Sequence, residues 1–320
     1  MNSGSACFIS DSSDSLDEVF QRQWRQQLAG WRQLLARCGK KPGRRRVHEL
    51  RVATLRLEAL LELWLHGHER DPAARAVRRW SKQAARLRRA LQPARSAAVY
   101  LGKLAWLRRQ VVAGDARRAA CLRQIAALER RFVKRREAAE KELMEAIRNR
   151  RARLVRWSEE IEGAIPVLVA QGGALGMDVM RERAGDLTAE FPVLSADCLH
   201  GYRKRVKKLH YLADFFAAVD SRAARQAEIF GKMQAVIGEW RDWQSLARKA
   251  CRVFVDRESG LPKLLAGLEA KSLRRALRDC RRLRERLLEN DVAENALGKK
   301  PVQVARLDRG QGEKPRRSWG

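Results

Sequence analysis

Residues 199–216 read LHGYRKRVKKLHYLADFF, a run of cations interleaved with leucines and aromatics. With about 100° of turn per residue and His200 set at zero, Arg203 falls near roughly 300°, Lys207 near roughly 340° and His210 near roughly 280°. The four share one stripe along the helix, and Lys204 and Lys208 lie beside it. Tyr202, Val206, Leu209 and Ala213 fall on a separate apolar face. The chemistry such a stripe offers is anion binding. Guanidinium forks take phosphate oxygens in pairs, ammonium groups act as point charges, and imidazoles donate hydrogen bonds and gain charge below about pH 6.5. Like charges one turn apart repel by about 0.2–0.5 kcal/mol per pair, and a bound polyanion relieves that repulsion.

The same frame occurs earlier, in VHELRVATLRLEALLELW (47–64). His48, Arg51 and Arg56 occupy the places of His200, Arg203 and Lys208, whereas Leu55 and Glu58 stand where Lys207 and His210 would be. The following helix carries Arg75, Arg78, Arg79, Lys82, Arg86 and Arg89 within about 100° of arc, opposite Val77, Trp80, Ala84, Leu87 and Leu91. Downstream, ALQPARS (90–96) aligns with VIGEWRD (236–242), placing Arg95 and Arg241 at similar distances after the two histidines. Pro93 and Gly238 are expected to end helices there, with Ser96 and Asp242 as N-caps of the next. One supersecondary unit is therefore expected twice.

The elements that must position these residues are helical. From about Leu16 to Trp157 the pattern is helical, broken near 38–45, 66–72, 91–96 and 113–115, and strand alternation is nearly absent. Residues 163–197 are richer in Gly and Pro and read as a joint; helices resume over 198–219, 222–238, 242–256 and 261–290. The expected organisation is a disordered N-terminus (1–15), a first helical bundle (16–160), a joint with short helices (161–197), a second bundle (198–292) and a disordered basic tail (293–320).

The chain has 320 residues, 45% of them hydrophobic, which suffices for a large core. Its 68 Lys and Arg against 38 Asp and Glu give a net charge of +30, which points to a polyanionic partner. The six cysteines form no CxxC pair and no zinc spacing, so reduced core thiols in a cytoplasmic protein are expected. The N-terminus lacks a signal-peptide pattern, and AIPVLVA (164–170) is too short to span a bilayer. No P-loop occurs, and His48 and Glu49, adjacent on a helix, diverge by about 100° and make a poor acid–base pair. A catalytic role is therefore not expected. Sequence-nonspecific nucleic-acid binding is the alternative that the charge alone supports, although no helix-turn-helix, aromatic RNA-binding strand or zinc finger is visible.

The two histidine segments, together with LQPARSAAV and IGEWRDWQSL, resemble the CHAD family of histidine-containing helical domains, over residues 16–290. The resemblance implies an all-α fold of two four-helix bundles with pseudo-twofold symmetry, long antiparallel helices and a central basic groove or pore. It implies non-catalytic binding of inorganic polyphosphate, without a cofactor, often at cytoplasmic polyphosphate granules. Carried onto this chain, the polyphosphate-binding set is His48, Arg51, Arg56, His200, Arg203, Lys204, Lys207 and Lys208, joined on the following helices by Lys82, Arg86, Arg89 and Lys232. Relatives are often fused to a triphosphate-tunnel hydrolase; this sequence has no strand-rich region and no ExExK motif.

Overall fold

Ser15 starts the first helix: its hydroxyl accepts from the Glu18 N–H, and the Glu18 carboxylate accepts from the Ser15 N–H, closing a capping box. The helix that follows, α1 (Leu16–Lys40), buries Phe20, Trp24, Leu28, Trp31, Leu35 and Cys38, a stripe at three- and four-residue spacing. The computed structural model of the chain describes residues 15–66, 68–111, 116–254 and 260–296. Within them follow α2 (Arg44–Leu65), α3 (Pro72–Gln110), α4 (Ala116–Gly163), α5 (Ile165–Glu190), α6 (Leu199–Phe216), α7 (Ser221–Val253) and α8 (Gly260–Ala296). Asp71 caps α3 ahead of a first-turn proline, and Asp220 caps α7. No strand occurs among the described residues, and no helix is long and apolar enough to cross a membrane.

α1 packs on α2 and α4, α2 on α3, and α3 on α4, closing one four-helix bundle; α5, α6, α7 and α8 pack in sequence as the second. Across the junction α1 meets α5, α2 meets α6, α3 meets α7 and α4 meets α8. Each helix thus touches its own counterpart, an arrangement that fits a pseudo-twofold axis. The main core draws on both bundles, with Trp31 edge-on to Trp80 at 5.2 Å and Phe20 in contact with Phe215 and Phe216. A second core sits where the long hairpins α3–α4 and α7–α8 meet, built from Tyr100, Leu104, Ile125, Phe132, Trp243, Leu246, Leu261 and their neighbours. There the Leu261 N–H donates to Gln124 Oε1 of α4 at 2.7 Å. Gly260 beside it has φ +60, and a Cβ would collide with the Gln124 amide.

Two expectations about breaks are corrected. α3 and α7 run uninterrupted through Pro93 and Gly238. A proline removes one helical hydrogen bond, but Leu91, Ala94, Ala97 and Ala98 stay buried around it, and tertiary packing carries the helix on. Ser96 and Asp242 are therefore not caps: Ser96 Oγ accepts from Gln92, and Asp242 pairs with Arg95. The stretch 163–197 contains the long helix α5, with Pro166 in its first turn, where the missing N–H costs nothing, and Leu168, Val169, Met180, Ala184 and Leu187 buried. Only residues 191–198 are a loop, and Arg284 and Arg281 of α8 hold it by its Phe191, Pro192 and Leu194 carbonyls. Residues 293–296 lie in α8, whereas 1–14, 113–115 and 297–320 lie outside the described residues. Cys38, Cys121 and Cys280 are buried free thiols, and burial pushes Cys38 up to about 11 and Cys280 to about 12. Cys7 lies outside the described residues.

Candidate polyanion site

Helices α2 and α6 pack side by side at the pseudo-twofold axis. Their apolar faces, Leu50, Leu57 and Leu61 on α2 and Tyr202, Val206 and Leu209 on α6, are buried, which fixes the rotation of both helices. That rotation turns His48 and Arg51 of α2 toward His200, Arg203 and Lys207 of α6. Arg88 and Arg95 of α3 and Arg241 of α7 complete the cluster.

The electrostatics trace who faces whom. Burial, and then the charges of Arg51, Arg203, Arg88 and Arg95, push the Lys207 ammonium down to about 6. Arg51 falls to about 10 through burial and then Arg95; Arg203 is lowered by burial and then Arg95. His48 at the rim is lowered by partial desolvation, Arg95 and Arg51, and His200 by partial desolvation, Arg241, Lys204 and Arg203. Two acids border the cluster, each with a partner: Glu58 pairs with Arg88 at 3.1 Å, and Asp242 with Arg95 at 3.1 Å. Among the described residues no acid forms an ion pair with Arg51, Arg203 or Lys207. Nε of Arg51 and Nε of Arg203 are buried with no hydrogen-bond partner. Below them the Tyr211 ring is buried, its centroid 5.7 Å from Lys207 Nζ and 6.0 Å from Arg56 Cζ. Concentrated positive charge that outnumbers its counter-charge is a receptor for a multiply charged anion.

The expected site residues separate by placement. His48, Arg51, His200, Arg203 and Lys207 come together. Arg56 and Lys208 make a reciprocal tie: Arg56 of α2 pairs with Asp214 of α6 at 2.9 Å, and Lys208 of α6 pairs with Glu62 of α2 at 3.1 Å. In the repeat frame Arg56 corresponds to Lys208 and Glu62 to Asp214, so the two bridges are images of each other. Lys204 is exposed at the rim. Lys82, Arg86 and Arg89 are exposed on the outer face of α3, and Lys232 is exposed on α7, where it pairs with Glu228. His210 turns to α7, its Nδ1 3.1 Å from the Ala227 carbonyl, with Gly231 against the ring.

Sequence reasoning left Arg88, Arg95, Arg241 and Tyr211 outside the site. Arg88 and Arg95, seven residues apart, share a face of α3 roughly opposite the Lys82–Arg86–Arg89 stripe, at the border of its apolar side. The signal that could have found Arg95 and Arg241 was their recurrence after the two histidines.

The profile that describes the CHAD domain matches residues 18–251. The chain belongs to the CHAD domain family. Two solved structures have a similar fold. PptA from Streptomyces chartreusis has a TM-score of 0.56 and 14% identity, covering 86% of this chain and 99% of that one. The CHAD domain from the plant Ricinus communis has a TM-score of 0.58 and 16% identity, covering 86% of this chain and 93% of that one. At such identities the likeness concerns the CHAD fold. No curated protein matches the sequence.

Proposed function

We propose that this CHAD protein binds inorganic polyphosphate without transforming it, in the cleft between α2 and α6, and does so at cytoplasmic polyphosphate granules. The observation that carries the reading is the set Arg51, Arg203 and Lys207, which face one another with no acid paired to them. A linear polyphosphate presents closely spaced charges and no bases, so it needs cations in a row and no groups for base readout. His48, Arg88, Arg95, His200 and Arg241 extend the row across both bundles. Lys204 lies at its rim. Lys82, Arg86, Arg89 and Lys232 act at longer range, steering the anion in, whereas Arg56 and Lys208 hold the two helices together.

Charge reversal of Arg203 and Lys207 to Glu tests the reading. The double variant is expected to keep the helical circular dichroism of the parent and to lose binding to long-chain polyphosphate; unchanged affinity overturns the proposal. Parent affinity is expected to fall steeply with salt, since solvent-facing charges are screened within about 8 Å at physiological ionic strength. Displacement of polyphosphate by duplex DNA at equal phosphate concentration would favour nucleic acid as the ligand. Release of orthophosphate from polyphosphate, with or without Mg²⁺, would show a catalytic protein instead.

A further inference from the structure

Lys207 differs in setting from the exposed Lys82, Lys204 and Lys232. It is partly buried on α6, above the Tyr211 ring, and positive charge reaches it from Arg51 on α2, Arg88 and Arg95 on α3, and Arg203 on its own helix. The Glu58 carboxylate of α2 also acts on it, but Glu58 is paired with Arg88, and no acid is paired with Lys207. Two consequences follow. Its partial burial among guanidinium groups disfavours the charged form of the amine, and a phosphate arriving at the Arg51 and Arg203 guanidinium groups lies beside it. A desolvated lysine among cations is an activated nucleophile.

We propose that Lys207 is an acylation site for small acyl phosphates, whose phosphate is held by Arg51 and Arg203 while the amine attacks the acyl carbon. A C–N bond forms, and the bond from the acyl carbon to the bridging oxygen breaks with its electron pair leaving on orthophosphate. The amine proton passes to that phosphate, and nothing is oxidised or reduced. The resulting amide cannot take up a proton, so the modified site no longer answers an arriving polyanion with a positive charge at this position. The loss of polyphosphate affinity rests on the function proposed above; the acylation itself needs only the anion cradle.

The test is incubation of the full chain with acetyl phosphate, read by peptide mass spectrometry over time. Lys207 is expected to acquire acetyl groups about tenfold faster than Lys204 or Lys232 in the same sample, the difference an activated amine makes. Orthophosphate is expected to slow that reaction by occupying the cradle. A rate at Lys207 equal to or below that of the exposed lysines overturns the proposal, as does indifference to orthophosphate. Arg51→Gln and Arg203→Gln, first checked for helicity, are expected to lower the ratio of acetyl phosphate to N-acetoxysuccinimide reactivity at Lys207; an unchanged ratio overturns the role of the guanidinium groups. The two readings fail separately. Selective acetylation without polyphosphate binding removes polyphosphate and leaves the acylation, whereas tight polyphosphate binding with an inert Lys207 removes the acylation alone.

Discussion

Lys207 has no acid paired with it, and burial followed by the surrounding guanidinium charges sets its titration. Between its ordinary value of 10.5 and about 6, the unfolded chain carries a proton on this amine that the bare fold refuses. Its folded pKa is lowered, so the fold loses stability as pH falls through that window, and the loss levels off below about 6. Lys207→Met removes the penalty. Its Tm is expected to rise by about 2–4 °C at pH 6 and by less at pH 10, read by calorimetry, even as polyphosphate binding weakens. A bound polyphosphate, with far more negative charge than a single acyl phosphate, raises the proton affinity of Lys207, His48 and His200, all of which the bare site holds down. Affinity should therefore rise as pH is lowered from 8 toward 6. Titration calorimetry in buffers of different ionisation enthalpy should register proton uptake on binding. Proton release would contradict the arrangement.

The helices themselves were legible. Apolar spacing located the long elements other than α5, because buried stripes such as Phe20 to Cys38 leave a 3.6-residue trace in the sequence, whereas the Gly and Pro of 163–197 hid α5 behind the signature of a joint. Their ends were harder to read. Pro93 and Gly238 carry breaker chemistry, but neighbours on other helices hold the chain around them, and a single-chain pattern contains no record of those neighbours. The α6 stripe was readable because Arg203 and Lys207 lie on one helix with a clear apolar opposite face. The contribution of α3 was not, since charge density pointed to Lys82, Arg86 and Arg89, whereas the groove meets the flank that bears Arg88 and Arg95. At this scale the pairing of α1 with α2 includes one buried polar contact: Trp31 Nε1 donates to Thr54 Oγ1 at 3.0 Å, and the Thr54 hydroxyl donates in turn to the Leu50 carbonyl. Thr54→Val leaves the indole N–H without a partner, and chemical denaturation is expected to show a loss of about 1–3 kcal/mol.

Across the whole molecule the two bundles share their interior. Both cores take residues from both halves, so the boundary read from sequence near 161–197 marks a change of bundle but not of hydrophobic unit. The Arg95–Asp242 bridge joins α3 to α7 over the axis, and it is one-sided: the counterpart of Asp242 is Ser96, and Arg241 donates to Gln244 instead. Asp242→Asn removes the counter-charge from Arg95. Polyphosphate affinity is expected to increase, by about three- to tenfold, in fluorescence titrations at low salt. A decrease would mean that Asp242 serves the site by holding Arg95 in place.

The mirrored bridges Arg56–Asp214 and Lys208–Glu62 have a consequence for how the two units meet. A unit that carries both the cation and the acid of such a pair satisfies both at once by meeting an identical copy across a dyad. The contact in this chain thus has the form that a symmetric homodimer of one such unit would have. Within one chain the two units need not stay identical, and Leu55 in the place of Lys207 marks where they differ: one unit carries an amine at that position and the other an apolar side chain.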